Sequence, residues 1–356
     1  MDKKFVMGIA AMAALTLVSC SSDDLDSFSG DSSKNEAISF DSYLGRSAVA
    51  VNGSRGSVLD VTTLQNSTEG FGVFGHYKEA DGQEFGHDLF NNQQVTYKSA
   101  WTYSPLRFWP TSGHIDFLAY APYDSKYDNT VTKDNKKLEF EVISDIKNQK
   151  DLLYAKADGK TKDNISADKN KVKFTFNHAL SKLGYKVKLS GDYSSNATFT
   201  LKNIKLAGSS DGATEAFYTK GKIDLSKTNT ASDLWSDYAT ARQNFDWFSG
   251  EYTVTGTDLK HPDKNRAENE DYLFVIPQKF KTGADKLYVI VTYTITYNND
   301  TENPIINTVY KQLSNDFEPG KAYMINLTLG LPIEFDADVT PWGYDNSIEV
   351  TEPWDR

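Results

Sequence analysis

Apolar and polar residues alternate with a period of two along most of the chain from Ala37 onward, and this pattern limits the fold more than any other feature. A period of two places successive side chains on opposite faces of an extended strand. Clusters of Gly, Asn, Asp and Ser separate these segments, as between hairpin strands. We therefore predict an all-β protein made of antiparallel sandwiches. The predicted strands are 38–40 with 49–51, 71–77, 101–103, 115–120, 137–142, 171–176, 185–189, 198–206, 252–254, 272–275, 287–297, 307–312 and 321–329.

Helical patterns are few and short. The clearest is His178–Leu183, which predicts a single turn, and Ser232–Tyr238 is a second candidate. A chain of 356 residues exceeds the size at which one core usually stops growing. The polar stretch Ser190–Asn196 then divides the chain. We predict an N-terminal sandwich domain at 37–190, a C-terminal one at 191–345 and a tail at 346–356.

Composition excludes several classes of function. The net charge of −11, with no basic cluster, argues against a nucleic-acid partner. The single cysteine, Cys20, rules out an internal disulfide framework and a Cys-based zinc site. The sequence holds no nucleotide-binding glycine motif, zinc-protease motif or serine-hydrolase motif. We therefore predict no enzyme activity, no cofactor and no metal. His76 and His87 are the one pair that a hairpin could bring together, although exposed loop histidines are the commoner case.

The N-terminus has the pattern of an export signal. Two lysines precede an uncharged run from Phe5 to Ser19, which is shorter than the roughly 20 residues of a membrane-spanning helix. The run ends in Leu17-Val18-Ser19-Cys20, which looks like a bacterial lipobox. We predict a signal peptide at 1–19, lipid attachment at Cys20 and a polar tether at 20–36. Ser21 directly after Cys20 argues against retention in the inner membrane, and the acidic pair Asp23-Asp24 resembles the export signal of surface-exposed lipoproteins. We therefore predict a surface-exposed lipoprotein of the outer membrane, with the periplasmic face as the alternative.

Aromatic residues cluster between positions 101 and 123. Trp101 and Trp109 are the candidates for ligand-facing rings, since flat aromatic faces stack on sugars. The alternative is that alternation buries these rings in the core of a sandwich.

The order of several motifs resembles the fimbrillin-like family, the lipoprotein subunits of type V pili. The match extends over about residues 36–345. The motifs are Phe71-Gly72-Val73-Phe74, Trp101-Thr102-Tyr103-Ser104-Pro105, Phe108-Trp109-Pro110, Ile115–Tyr123, the segment Phe174–Leu183, Phe317–Tyr323, Ile333-Glu334-Phe335 and Val339-Thr340-Pro341-Trp342.

This resemblance implies two transthyretin-like β-sandwich domains, no enzyme activity and assembly with other pilus subunits by strand exchange. In that family an Arg-specific protease removes the first strand and a strand of a neighbouring subunit then fills the groove, so the resemblance implies the same here. The strand expected to be expelled carries Ile38 and Phe40 together with Val49 and Val51. Arg55 and Arg46 are the candidate cleavage points, and Arg55 is preferred because cutting there removes the whole strand.

The donor strand is expected near the C-terminus, at Lys321–Leu329 or Ile348–Trp354. Two other functions stay open at this point. One is a surface lipoprotein that binds glycans and does not polymerise, and the other is a lipid-anchored hydrolase, which has no catalytic motif to support it.

Overall fold

The computed structural model describes residues 37–44, 59–79, 85–165, 170–262 and 272–330. These ranges are almost entirely β, which confirms the predicted fold class. They contain one α-helix, α1 (Val61–Asn66), and two 3-10 turns at Ser125–Tyr127 and Ile146–Asn148. The strands are β1 (Phe40–Leu44), β2 (Phe71–Lys78), β3 (Phe85–Tyr97), β4 (Trp101–Thr102), β5 (His114–Ala121), β6 (Lys137–Glu141), β7 (Leu153–Lys160), β8 (Val172–His178), β9 (Ser181–Leu189), β10 (Ala197–Ala207), β11 (Phe217–Tyr218), β12 (Lys220–Asp224), β13 (Trp235–Ser236), β14 (Arg242–Gln243), β15 (Phe245–Val254), β16 (Leu273–Val275), β17 (Gln278–Lys279), β18 (Leu287–Tyr297), β19 (Asp300–Leu313), β20 (Asp316–Phe317) and β21 (Ala322–Leu329).

Three sheets organise these strands. The first has seven strands in the order β1-β8-β7-β5-β2-β3-β4, with β1 at one end. The second has the order β15-β10-β18-β19, and the third has the order β16-β9-β21. Smaller ladders join β13-β12-β6, β11-β14 and β17-β20. Strands from both sides of residue 190 share sheets, since β9 pairs with β21 and β6 pairs with β12. The division into domains at that residue stays a prediction.

Two ladders depart from the antiparallel pattern. Strand β1 runs parallel to β8, and β21 runs parallel to β9. Strands β8 and β9 are consecutive, with only Ala179 and Leu180 between them. Each has one parallel partner, and that partner lies at the end of its sheet.

The buried side chains form two clusters. The smaller one surrounds Phe40 and, within the ranges given above, ends at Phe176. The larger one begins at Phe74, passes through Leu183 and ends at Leu329, so it joins both halves of the chain. Alternation along β2 explains how one strand serves both clusters, because Val73 faces the smaller cluster and its neighbour Phe74 faces the larger.

Neither of the two predicted helical segments forms a helix. His178 ends β8 and Ser181 begins β9, so His178–Leu183 spans the step from one sheet to the next. Within Ser232–Tyr238, residues 235–236 form β13. In both places sheet pairing and burial override a weak local preference for helix. Within the described ranges, no helix is long and apolar enough to cross a membrane.

Candidate functional site: the first strand and its trough

Residues Ile38–Leu44, which lie in the first described segment, are held in place by hydrogen bonds on two sides, and we call them the plug strand. On one side its residues pair in parallel with β8, from Phe40 opposite Val172 to Leu44 opposite Phe176. The Val172 N–H donates to the Ser39 carbonyl at 2.8 Å. The other side of its first residues is covered by the 107–108 segment, so the start of the plug strand is not an exposed edge.

That second side has three contacts. The Ile38 N–H donates to the Arg107 carbonyl at 2.8 Å, and Ala37 forms an antiparallel bridge with Phe108. The Tyr103 hydroxyl donates to the Ile38 carbonyl at 2.7 Å. Burial raises the pKa of the Tyr103 phenol, so this hydroxyl stays a donor at neutral pH. The plug strand is thus inserted between β8 and the 103–108 loop.

Its inward side chains fill an aromatic trough. Ile38 and Phe40 are each 1% exposed. Five aromatic rings, which we call the trough, surround the Phe40 ring. Their centroids lie at 5.4 Å (Tyr103), 5.6 Å (Phe90), 5.6 Å (Phe174), 5.7 Å (Phe117) and 6.5 Å (Phe71) from that of Phe40. Four of the contacts are tilted or edge-on, the geometry that aromatic pairs prefer. The trough is therefore built from strands β2, β3, β5 and β8 together with the 103–108 loop, and it needs the plug strand to be complete.

Towards its C-terminal end, the plug strand is less well packed against its surroundings. Ser42 is buried, yet its hydroxyl has no hydrogen-bond partner within the described part of the chain. Tyr43 points outward and is 45% exposed, with the Lys173 ammonium 4.2 Å from its ring centroid. This arrangement follows from the alternation of an extended strand. Ile38, Phe40 and Ser42 face inward, and the residues between them face outward.

The chain after the plug strand is anchored separately. The Asp151 carboxylate, which is buried, accepts hydrogen bonds from the Leu59 N–H at 3.2 Å and the Leu152 N–H at 2.8 Å. It also lies 2.7 Å from Nδ1 of the buried His178. Helix α1 then begins with a reciprocal cap between Asp60 and Thr63. These hydrogen bonds involve no residue of the plug strand, and Leu59 and Leu64 are buried in the same cluster as Ile38 and Phe40.

The predicted expelled strand is only partly described. Ile38 and Phe40 lie in the plug strand, as the alternation predicted, and their neighbours are those given above. The other predicted residues lie outside the described ranges. They are Val49 and Val51 of the expelled strand, the candidate cleavage sites Arg46 and Arg55, and Cys20, the predicted point of lipid attachment.

Trp101 and Trp109 do not present their rings to solvent. They are 7% and 5% exposed, and both belong to the cluster around Phe40. The Trp101 ring packs on Phe71 at 4.8 Å and the Trp109 ring on Phe117 at 6.3 Å. Neither offers a free face on which a sugar could stack, so these rings are part of the core that supports the trough.

Tyr103 is the site residue that motif reading did not single out. Its sequence position in a Trp-x-Tyr pair hides its role, because the hydroxyl acts on Ile38, which is 65 residues away. Leu106 and Phe108 in the same loop are among the exposed large apolar side chains. That these exposed apolar side chains lie in the loop that covers the plug strand can be seen only in the structure.

The predicted pair of histidines has a different environment. His76 is buried in β2, and its Nδ1 lies 2.6 Å from Asp88. Burial lowers the pKa of His76 below 6.5, against the opposing effect of the Asp88 hydrogen bond. The backbone of His87 lies opposite Tyr77, and its side chain is outside the description. Among the described residues, no group of three or more His, Cys, Asp or Glu side chains is placed to hold a metal ion.

Of the two candidate donor segments, one is built into the fold. Residues 322–329 form β21, in register with β9 from Ala322 opposite Lys182 to Leu329 opposite Leu189. Ile325, Leu327 and Leu329 are buried in the larger cluster. Ile348–Trp354 lies outside the described residues.

Comparisons with known proteins place the chain in a family. A crystal structure of a fimbrial protein from Bacteroides vulgatus is similar, with a TM-score of 0.61 and 21% identity over 86% of this chain and 99% of that one. A candidate cell adhesion protein from Bacteroides ovatus gives 0.48 and 14%, over 88% and 99%. The tip fimbrial protein Mfa3 from Porphyromonas gingivalis gives 0.31 and 10%, over 72% and 88%. No curated protein matches the chain at a significant level. The sequence model of the fimbrillin-like family matches residues 58–342, which confirms the resemblance in the motifs, and the chain belongs to that family.

Proposed function

We propose that the chain is a structural and adhesive subunit of a surface pilus, exported as a lipoprotein through Cys20 and polymerised by donor-strand exchange. An Arg-specific protease cuts after Arg55, or after Arg46, and frees the plug strand. A strand from another subunit then takes its place. The observation that carries this proposal is that the plug strand completes an aromatic trough while lying at the end of its sheet.

Removal of this strand leaves the rest of the sheet paired. The other strands of the seven-stranded sheet pair with one another, from β8 to β4. What is lost is the parallel partner of Val172–Phe176 and the filling of the trough. Unpaired N–H and C=O groups beside an apolar groove favour the addition of a strand, because one segment satisfies both. Donor and acceptor surfaces differ, so the contact propagates as a filament.

The position of the candidate cleavage sites suits this role. Both arginines lie between Leu44, where the plug strand ends, and Leu59, where the Asp151 anchor begins. A cut there separates two segments whose hydrogen bonds go to different partners, β8 and the 103–108 loop for the plug strand and Asp151 for Leu59. While the chain is intact, the plug strand is tethered to its trough at an effective concentration in the millimolar range. After the cut it becomes a separate peptide, which another strand can replace.

The test uses the purified full chain and an Arg-specific protease. The expected products are a new N-terminus at Gly56 or Ser47, followed by a ladder of polymers on a non-boiled gel. The matched control changes both arginines to lysine, which keeps the charge but resists this protease. The control chain is expected to stay monomeric. A trimmed wild-type chain that stays monomeric under these conditions overturns the proposal.

A second test concerns export. Cys20→Ala is expected to move the precursor from the membrane fraction to the soluble fraction of the cell. A precursor that stays with the membrane in this variant contradicts lipid attachment at Cys20, without bearing on strand exchange.

A further inference from the structure

We infer that Ile333–Val339 of a second copy of this chain is the segment that replaces the plug strand. This inference rests on the proposed function and identifies the donor within it. The sequence after Gly330 contains Ile333-Glu334-Phe335-Asp336, and the plug strand contains Ile38-Ser39-Phe40-Asp41. The same two apolar residues stand at the same spacing in both.

The match continues through the rest of the strand. A constant offset relates every position, and each inward side chain has a counterpart of similar or smaller size. The inward pairs are Ile38 with Ile333, Phe40 with Phe335, Ser42 with Ala337 and Leu44 with Val339. Phe335 would then occupy the position of Phe40 among the five trough rings. In the same register Asp336 lies where Asp41 stands opposite Lys173, so the opposite charges are kept.

The one inward chemical difference favours the donor. The buried hydroxyl of Ser42 has no hydrogen-bond partner in the described structure, and a buried unsatisfied hydroxyl destabilises the state that contains it. Ala337 places a methyl group there instead. The incoming segment therefore lacks the unsatisfied hydroxyl of the plug strand. This difference favours the donor over the plug strand in the trough. Pro332 at the position of Ala37 has no N–H, but the Ile333 N–H is still present to donate to the Arg107 carbonyl as Ile38 does.

The segment must come from another copy, because its own trough is out of reach. Strand β21 starts near the step between β8 and β9, where the Gly320 N–H donates to the Leu180 carbonyl, and it ends beside Ser190. Along β9, that end lies eight residues from Ser181, or about 26 Å at strand spacing.

The trough lies the other way along β8. From His178 back to Val172 is six residues, or about 20 Å. From Gly330, the five residues to Phe335 span at most about 18 Å when fully extended. Only β8 and β9 folded back on each other would close that gap, and among the described residues neither β9 nor β21 contributes a side chain to the cluster around Phe40.

A disulfide trap tests the register. Thr175 is exposed on β8 and lies opposite Tyr43, whose place Asp338 would take. Thr175→Cys and Asp338→Cys are combined in a full chain that carries Cys20→Ala, since neighbouring strands bring Cα atoms within disulfide range. After trimming by the Arg-specific protease and mild oxidation, we expect a covalent ladder that a reductant collapses. The uncut chain should show none. The control pair joins Thr175→Cys to Glu349→Cys, which lies in the other candidate segment.

A second measurement separates the donor from the function. Phe335→Ala should slow ladder growth of the trimmed chain at least about a hundredfold, the effect of losing a buried Phe ring. Ile348→Ala should leave growth unchanged. A ladder from the Glu349 pair, or normal growth of Phe335→Ala, overturns the inference and leaves the pilus proposal standing. A trimmed wild-type chain that forms no polymer overturns both.

Discussion

Replacement of Phe40 by alanine should loosen the plug strand more than any other single change within it. Full burial of a Phe side chain contributes about 1.5–3 kcal/mol, and the cavity left among five close rings adds to the loss. Measured Phe→Ala changes in protein cores cost about 3–5 kcal/mol. At about 1.4 kcal/mol per factor of ten, the population with a detached plug strand should rise by about 100- to 4,000-fold.

Hydrogen exchange of the full, uncut chain measures this population directly. Amides of Phe40–Leu44 should exchange faster by that factor, while those of β18 should change little. Tyr43→Ala is the matched control, because it removes an aromatic ring from the same strand at a side chain that is 45% exposed. Its effect should stay below about 1 kcal/mol. Equal acceleration in the two variants, or less than tenfold acceleration in Phe40→Ala, would refute the argument that the trough holds this strand.

Three further changes test neighbouring contacts. Tyr103→Phe removes the hydroxyl that donates to Ile38 and should raise exchange of the plug strand by a factor equivalent to about 1 kcal/mol; no change would contradict the role of this bond. Asp151→Ala leaves buried partners unsatisfied and should lower the free energy of unfolding in urea by about 3–5 kcal/mol, whereas a loss under about 1 kcal/mol would contradict the anchor. Burial lowers the pKa of His76 below 6.5, so the unfolded chain binds more protons than the folded chain as the pH falls through 6.5 towards that lower pKa. The free energy of unfolding should fall in this window by at most about 1.4 kcal/mol per pH unit, and His76→Asn should flatten that slope in urea titrations.

Strands with clean alternation were predictable from sequence. The segment Leu287–Tyr297 is a strand with the predicted bounds, and the strand predicted at 71–77 extends by one residue. Strand β3 was missed because Asn and Gln occupy many of its positions, so its pattern does not stand out. Strand β7 was missed for a similar reason, since small and charged residues interrupt it. The interrupted strands are specified by their neighbours in the sheet rather than by their own composition.

The sequence did not predict which strands pair with each other. Alternation shows which face of a strand is buried, but it does not show that β1 pairs in parallel with β8. The same gap explains the wrong prediction at His178–Leu183. Ala179, Leu180 and Leu183 are buried in the larger cluster, and Lys182 is buried with its ammonium 3.6 Å from the centroid of the Tyr272 ring. A short apolar run that is covered on all sides has no period to read, and helix and strand then look alike.

Strand pairing, rather than alternation alone, also decides which C-terminal segment could act as a donor. Strand β21 shows clean alternation, and this made it a candidate donor, but all of its residues from Asn326 to Leu329 are buried and its register with β9 runs over its full length. Extracting it would open the larger core that joins both halves of the chain. The plug strand is the opposite case, since it belongs only to the smaller cluster and its hydrogen bonds are separate from the one that anchors Leu59 to Asp151. A segment that enters the trough must therefore follow β21 rather than contain it, and Phe335 stands at the first position after β21 where the Ile-x-Phe pattern of the plug strand recurs.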